Sequence, residues 1–254
     1  MKDVYFDYLV KQAEAPFEGW DFSFISGTGR MNGEALPWSY MSKVLKERTK
    51  EMHSMLDMGT GGGEFFSMLM PFPPNTAATE AYPPNMSIAK NRLEPLGVKV
   101  CEIECDEELP FADQEFDLIL NQHESYSECE VKRILHDDGT FITQQVGGED
   151  CNDLNRLLQA EINPEFLHWN LDYAVKKLEK EGFTITEKDE AFPLLRFYDV
   201  GAIIYYLKAI PWQVPDFSVE QYEEKLREIH HYIEENGYVE IKTHRFYIVA
   251  KKRL

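Results

Sequence analysis

The sequence predicts an α/β fold, a mostly parallel sheet with helices on both faces, and three observations carry that expectation. An apolar run ending in Asp57 meets a turn with glycines at 59, 61, 62 and 63, after which Phe65, Phe66, Met68 and Leu69 resume at helical spacing. Short apolar runs bounded by turn residues then alternate with helical patterns as far as Val146, the order that builds a parallel sheet. The second such run ends in an acid, Glu80, at the distance of about 20 residues where a nucleotide-binding unit places its ribose contact.

From the start of the chain, Val4 to Ala13 reads as a helix with Tyr5, Tyr8 and Leu9 on one face, followed by the segment FEGWDFSFISGTGRMNGEALPWSY, too aromatic for a solvated tail. Gly27, Gly29 and Gly33 read as a flexible link, and Pro37 followed by Trp38 to Lys50 as a second helix. The glycine turn comes next. Glycine reaches positive φ and lets a ligand touch bare backbone. Counted from Gly59, the sixth position of a dinucleotide fingerprint is Glu64, so the spacing is G-x-G-x-G and the pyrophosphate reading weakens. Asp57 would repel a pyrophosphate but suits a ligand bearing an ammonium group, which points to a zwitterion. Thr76 to Ala81 is the second strand, and two ribose hydroxyls can donate to the carboxylate of Glu80. A helix with Met86, Ala89 and Leu93 on one face closes at Gly97; Tyr82 and Met86 are candidates to flank an adenine, with ordinary core as the plainer reading of Met86.

Val98 to Glu104 and Phe116 to Leu120 are the third and fourth strands. The latter delivers Asn121, Gln122, His123, Glu124 and Ser125 to the sheet edge where open α/β folds bind ligands. Cys129 to His136 reads as a helix closed by Asp138 and Gly139, and Phe141 to Val146 as a fifth strand that presents Gln144 and Gln145. A loop with a short helix near Leu154 to Ala160 follows, then an amphipathic helix marked by Leu171, Ala174, Val175 and Leu178 and a sixth strand from Phe183 to Glu187. Asp199 to Ala209 forms a small apolar helix between prolines, read as a lid, a plug or an oligomer face. Tyr222, Leu226, Ile229 and Ile233 stripe a long helix stopped by Asn236 and Gly237. Tyr238 to Lys242 and Arg245 to Lys251 alternate like an antiparallel pair.

With these motifs in place the chain resembles the class I S-adenosylmethionine-dependent methyltransferases, whose first motif is an apolar strand, an acid and G-x-G-x-G, here LDMGTGGG. The segment DEELPF at 106–111, the string RILHDDGTFITQQVGG and the tail RFYIVAKK resemble further signatures of that family. The resemblance implies a Rossmann-like seven-stranded sheet with an antiparallel last strand beside the sixth. It implies one domain over 1–254, with an N-terminal cap at 1–50 and a lid insertion at 190–236. It also implies that Asp57, Gly59, Thr60 and Gly61 hold the amino-acid end of S-adenosylmethionine and that Glu80, with Ala81 beside it, takes the ribose. Asp106, with Glu107 as an off-by-one competitor, would lie near the adenine amino group, and Asn121 would line the site. N-terminal segments in that family cover the cofactor, so Arg30, Trp38 and Tyr40 become candidates for its carboxylate and sulfonium, the rings by cation–π attraction. Trp38 and Tyr40, with Arg196 and Tyr198, are the candidate substrate contacts. Methyl transfer from a sulfonium is a direct displacement that needs alignment, and proton removal when the acceptor is a hydroxyl or ammonium. His123 has the intrinsic pKa for that base, against the plain reading of a satisfied pocket-lining residue.

Composition narrows the partners. Asp and Glu number 45 against 26 Lys and Arg, a net charge of −19, which disfavours a phosphate backbone and favours a small-molecule acceptor. The four cysteines form no C-x-x-C pair, so neither zinc nor a disulfide framework is expected. Acidic residues near the N-terminus are unlike a signal peptide, and the longest apolar stretch, Val200 to Leu207, is too short for a bilayer; a cytoplasmic protein is expected. Methylation of RNA or protein, a non-catalytic S-adenosylmethionine-binding module and a dehydrogenase stay open as alternatives.

Overall fold

Parallel strands need cover on both faces. The runs at Ser54–Met58 and Phe116–Gln122 meet that need by alternation: Met55, Leu118 and Leu120 enter one hydrophobic core while Leu56, Met58 and Ile119 enter another. The computed structural model describes residues 3–17, 21–49 and 51–252. Trp20 of the aromatic segment and Lys50 at the end of the second expected helix lie outside the described residues. In chain order the elements are α1 (Val4–Gln12), α2 (Ser23–Ser26), β1 (Met31–Gly33), α3 (Tyr40–Glu47), β2 (Ser54–Met58), α4 (Glu64–Ser67), β3 (Asn75–Glu80), α5 (Pro83–Leu93), β4 (Lys99–Glu102) and β5 (Phe116–Gln122). They continue with α6 (Glu128–Ile134), β6 (Leu135–Val146), α7 (Asn152–Leu158), α8 (Leu171–Lys180), β7 (Phe183–Ala191), β8 (Leu194–Phe197), α9 (Val200–Ala209), α10 (Glu223–Asn236), β9 (Val239–Lys242) and β10 (Arg245–Lys252).

The described residues fall into two compact units, one within 1–36, 148–168 and 191–244 and the other within 37–147, 169–190 and 245–254. The second, larger unit holds a seven-stranded sheet in the order β4-β3-β2-β5-β6-β10-β7. Pairs β2–β3, β2–β5, β3–β4 and β5–β6 are parallel, and β10 runs antiparallel to β6. Strand order reverses between β2 and β5, the point where open sheets form a ligand crevice. Asp117 fixes that central pair: its carboxylate accepts from the backbone of His53 (2.8 Å) and Ser54 (3.0 Å) and from the Ser54 hydroxyl (2.9 Å). The expected seven-stranded sheet with an antiparallel last strand is therefore what the chain forms.

The smaller unit has its own core and a three-stranded sheet, β1-β8-β9. Helix α9 is buried along almost its whole length, so its apolar run is interior to this unit. Three sequence expectations need correction. The Gly27–Gly33 stretch is not a loose link, because Met31–Gly33 pairs with Leu195–Phe197. Tyr238–Lys242 and Arg245–Lys251 do not form a hairpin: β9 pairs with β8 and β10 with β6. The intervening Thr243 and His244 donate their N–H groups to Pro193 O (2.9 Å) and Asp150 Oδ1 (2.8 Å), which commits the backbone that a tight turn would use. Helix α6 stops at Ile134, and Asp138–Gly139 lie inside β6 at a register shift against β5 instead of between helix and strand.

Arg30, expected as a contact for the cofactor carboxylate, is engaged within the smaller unit. Its Nε and Nη2 donate to Asp199 Oδ2 and Oδ1, both at 2.7 Å, and Asp199 also caps α9 by accepting from Ala202 N (2.9 Å). Removing one partner of a largely buried pair strands the other. Asp199→Ala should destabilise the protein by about 3–5 kcal/mol, read as a lower midpoint in urea unfolding. A loss near that of a helix cap alone, about 1 kcal/mol, would show that water already screens the pair.

Candidate functional site

At the strand-order reversal, parallel pairing sets Asp57 opposite Leu120 and Met58 opposite Asn121, so the glycine turn after β2 and the segment after β5 leave the sheet side by side. Gly59, Gly61 and Gly63 all have φ between 62° and 78°, a region that costs other residues strain. The turn is tied to β3, with Thr60 N donating to Thr79 O (2.9 Å) and Gly59 N to Thr79 Oγ1 (3.2 Å). Each glycine answers a different demand. A Cβ on Gly59 would collide with Cγ of Glu124, and one on Gly63 would stand 2.8 Å from the Leu93 side chain, whereas one on Gly61 would meet nothing within 4 Å. The face of the loop at Gly61 is open.

Four carboxylates converge on this turn. Asp57 is buried. Burial pushes its pKa up to about 7, with the charge of Glu80 adding to the effect. The Thr60 hydroxyl lies near enough to oppose the shift, yet forms no hydrogen bond of ordinary geometry and is itself buried without a partner. Glu80 is buried and accepts from Tyr82 N through Oε1 (2.7 Å). Asp106 accepts from the Ser125 hydroxyl, and burial chiefly raises its pKa. Glu124 is raised by burial first and then by Asp106. Buried Asp57 and Glu80 and half-buried Asp106 and Glu124 thus gather beside an unpartnered hydroxyl, a setting that suits a cationic group with hydroxyls of its own. Among the described residues no group of three or more His, Cys, Asp or Glu is placed to hold a metal ion.

The expected residues separate on inspection. Asp57, Gly59, Thr60, Gly61, Glu80 and Asp106 come together. Asp106 is half-buried whereas Glu107 and Ala81 are exposed, which favours Asp106 over its neighbour. Met86 is core and Tyr82 is exposed. Asn121 is fully buried with its side chain committed: Nδ2 donates to Ser125 O (3.1 Å), and Oδ1 accepts from Thr143 Oγ1 (2.9 Å) and Gln145 Nε2 (2.6 Å). It shapes the turn that carries His123 to Ser125. Tyr40 is likewise core: its hydroxyl accepts from Asn121 N (3.2 Å) and lies within donating distance of Asn121 O and Ile142 O. Arg196 and Tyr198 belong to the smaller unit, where Arg196 Nε donates to Glu240 Oε2 (2.6 Å) and both residues flank the Tyr238 ring.

Trp38 Nε1 donates to Gln144 Oε1 (2.8 Å), and the Gln144 amide nitrogen lies 3.0 Å from His123 Nε2. Protein packed around the imidazole, and then the positive charge of Arg245, hold its pKa below the ordinary value, although the residue as a whole is exposed. His123 is neutral at pH 7. Sequence reasoning gave Glu124 no role in the glycine turn; its place directly after a strand end that already drew attention was the available signal.

Residues 56–143 match the sequence model of a family described as a methyltransferase domain. No curated protein matches the chain by sequence. Among solved structures, a protein of Bacillus halodurans C-125 described as a candidate methyltransferase shares 16% identity at a TM-score of 0.61, covering 85% of this chain and 99% of its own. The YcgJ protein of a Bacillus species shares 17% at 0.58, covering 85% and 98%. The [4+2]-cyclase SpnF shares 15% at 0.53, covering 84% and 81%. At these identities the structural likeness is one of fold.

The raised pKa of Asp57 has a definite sign in stability. Between the unfolded carboxyl value of about 4 and about 7, the folded chain holds a proton that the unfolded chain has lost, so this group destabilises progressively as pH rises through that window and by a constant amount above it. Asp57→Asn should therefore resist urea better than the wild type at pH 8 and equal it at pH 4. Identical midpoints at pH 8 would mean that the carboxylate is well solvated.

Proposed function

We propose that this chain, an enzyme whose residues 56–143 form a methyltransferase domain within a class I fold, transfers a methyl group from S-adenosylmethionine to a small-molecule acceptor. The observation that carries the reading is the buried Asp57 carboxylate beside the open face of the glycine turn. S-adenosylmethionine supplies a methyl group activated on a sulfonium. Asp57, Thr60 and the backbone at Gly59 and Gly61 would receive its amino-acid end, and Asp57 would give up its proton on meeting an ammonium group. The carboxylate of Glu80, with Oε1 engaged by Tyr82 N, keeps acceptor capacity on Oε2 for ribose hydroxyls. Asp106 is the acceptor for the adenine amino group. Catalysis in such a site rests on alignment and exclusion of water.

A small acceptor is favoured by the net charge of −19, which opposes association with a polyanion. Among the described residues no helix is long and apolar enough to cross a membrane, and none of the four cysteines forms a disulfide; a cytoplasmic site of action accords with both.

Titration calorimetry with S-adenosylmethionine should give saturable binding that Asp57→Asn and Glu80→Gln each weaken by about tenfold or more, the worth of a hydrogen bond to a charged group. Transfer of a labelled methyl group to a panel of small molecules, RNA and protein then tests the reaction. A folded protein that ignores S-adenosylmethionine overturns the reading, and binding without transfer to any acceptor overturns its catalytic half.

A further inference from the structure

The indole of Trp38 has one polar atom, an N–H that can only donate. The Gln144 amide atom 2.8 Å from it is therefore the carbonyl oxygen, and the orientation of that amide is settled by chemistry. Its NH2 group faces the other way, 3.0 Å from Nε2 of His123. An amide NH2 has no lone pair to give, so the imidazole nitrogen facing it must be the acceptor and carry no proton. A neutral imidazole keeps one proton, and here it is left on Nδ1. Protonating the ring would set two N–H groups against each other, and the nearby charge of Arg245 opposes it as well.

The rest of the edge holds this arrangement. His123 sits at φ 61° with its N–H donating to Gln144 O (2.8 Å), so the same glutamine fixes both backbone and ring. Gln144 lies on β6 opposite Gln122 of β5, and the Trp38 ring rests against Tyr247 of β10, centroids 5.0 Å apart. Three elements thus impose one tautomer on a residue next to Glu124, whose side chain lies over Gly59.

We infer that His123 binds the methyl acceptor as a hydrogen-bond donor through Nδ1–H, with Gln144 and Trp38 as positioning residues, and that the acceptor is a carboxylate. The inference rests on the methyl-transfer reading above. A base at this position needs a lone pair, and the ring has none to offer: that of Nε2 is engaged and Nδ1 is protonated. An acceptor oxygen that arrives ionised needs no base from the ring, and at neutral pH carboxyls, with pKa values of about 4, are ionised whereas phenols, of about 10, are not. Charge balances without proton transfer. The carboxylate oxygen forms the new O–CH3 bond and loses its negative charge, the S–CH3 bond breaks, and its electron pair stays on sulfur, which becomes a neutral thioether.

Long-range proton–nitrogen correlation spectra of the full chain with labelled histidine, His123 being assigned by comparison with His123→Gln, test the tautomer directly. At pH 7 the wild type should show Nδ1 protonated and Nε2 bare. Gln144→Glu, whose carboxylate can accept from Trp38 and from the ring together, should move the proton to Nε2 and lower methyl transfer by about tenfold or more, with the fold intact by circular dichroism. Trp38→Phe should release the amide and give a mixture of tautomers. A proton on Nε2 in the wild type overturns the inference. So does transfer to alcohols or amines but not to carboxylates, an outcome that leaves the methyl-transfer reading standing; failure to bind S-adenosylmethionine removes that reading and leaves the tautomer measurement valid.

Discussion

A carboxylate shut away from water at the end of a central parallel strand is the constraint around which the larger unit is arranged. Asp57 shares the face of β2 that holds Met55, and the phenol of Tyr40 on the same side is pushed well above its ordinary pKa by burial and by the charge of Asp57. A protein interior accepts such a group only if it is neutral or will be paired. Its position follows from topology: β2 lies where strand order reverses, so its C-terminal end opens onto a crevice instead of onto a crossover helix. The glycines satisfy the geometric side of the same arrangement by letting Glu124 and Leu93 approach the turn.

The edge beside this turn is stiffened by a closed polar network. Asn121, Thr143 and Gln145 bond to one another in a fully buried group, and Tyr40 joins it through the Asn121 backbone. Buried networks of this kind rigidify when every member is satisfied. The Thr60 hydroxyl, buried without a partner, sits on the glycine turn near the buried Asp57 carboxylate. The satisfied network and the glycine turn are thereby separated by only a few residues.

Much of this was legible in the sequence because local rules sufficed. The apolar alternation of β2 and β5, the G-x-G-x-G turn and the placement of Glu80 need only strand period, glycine's φ freedom and the reach of a carboxylate. What stayed hidden depends on partners distant in the chain. Arg30 read as available because Asp199 could not be seen beside it, and Asn121 as a ligand contact because Thr143 and Gln145 come from another strand. Strands β1 and β8 are three and four residues long, too short for period 2 to register. The alternation of β9 and β10 was correct, but pairing is decided by Pro193 and Asp150, which hold the two residues between them.

His123 shows the same limit in chemical form. Imidazole at the end of a strand suggests a base from its intrinsic pKa alone, and only the run from Trp38 through Gln144 reveals which nitrogen is left to act. On the methyl-transfer reading Asp57 would meet a cation, whereas a neutral donor at His123 would meet an anion, and the two strand ends are adjacent in the sheet. A sulfonium and a carboxylate brought to that edge would cancel each other's charge as the new bond forms. Little proton chemistry is then required of the protein, and a poorly hydrated crevice favours the step, since opposite charges attract more strongly where the dielectric is low and each sheds hydration that the neutral products do not need.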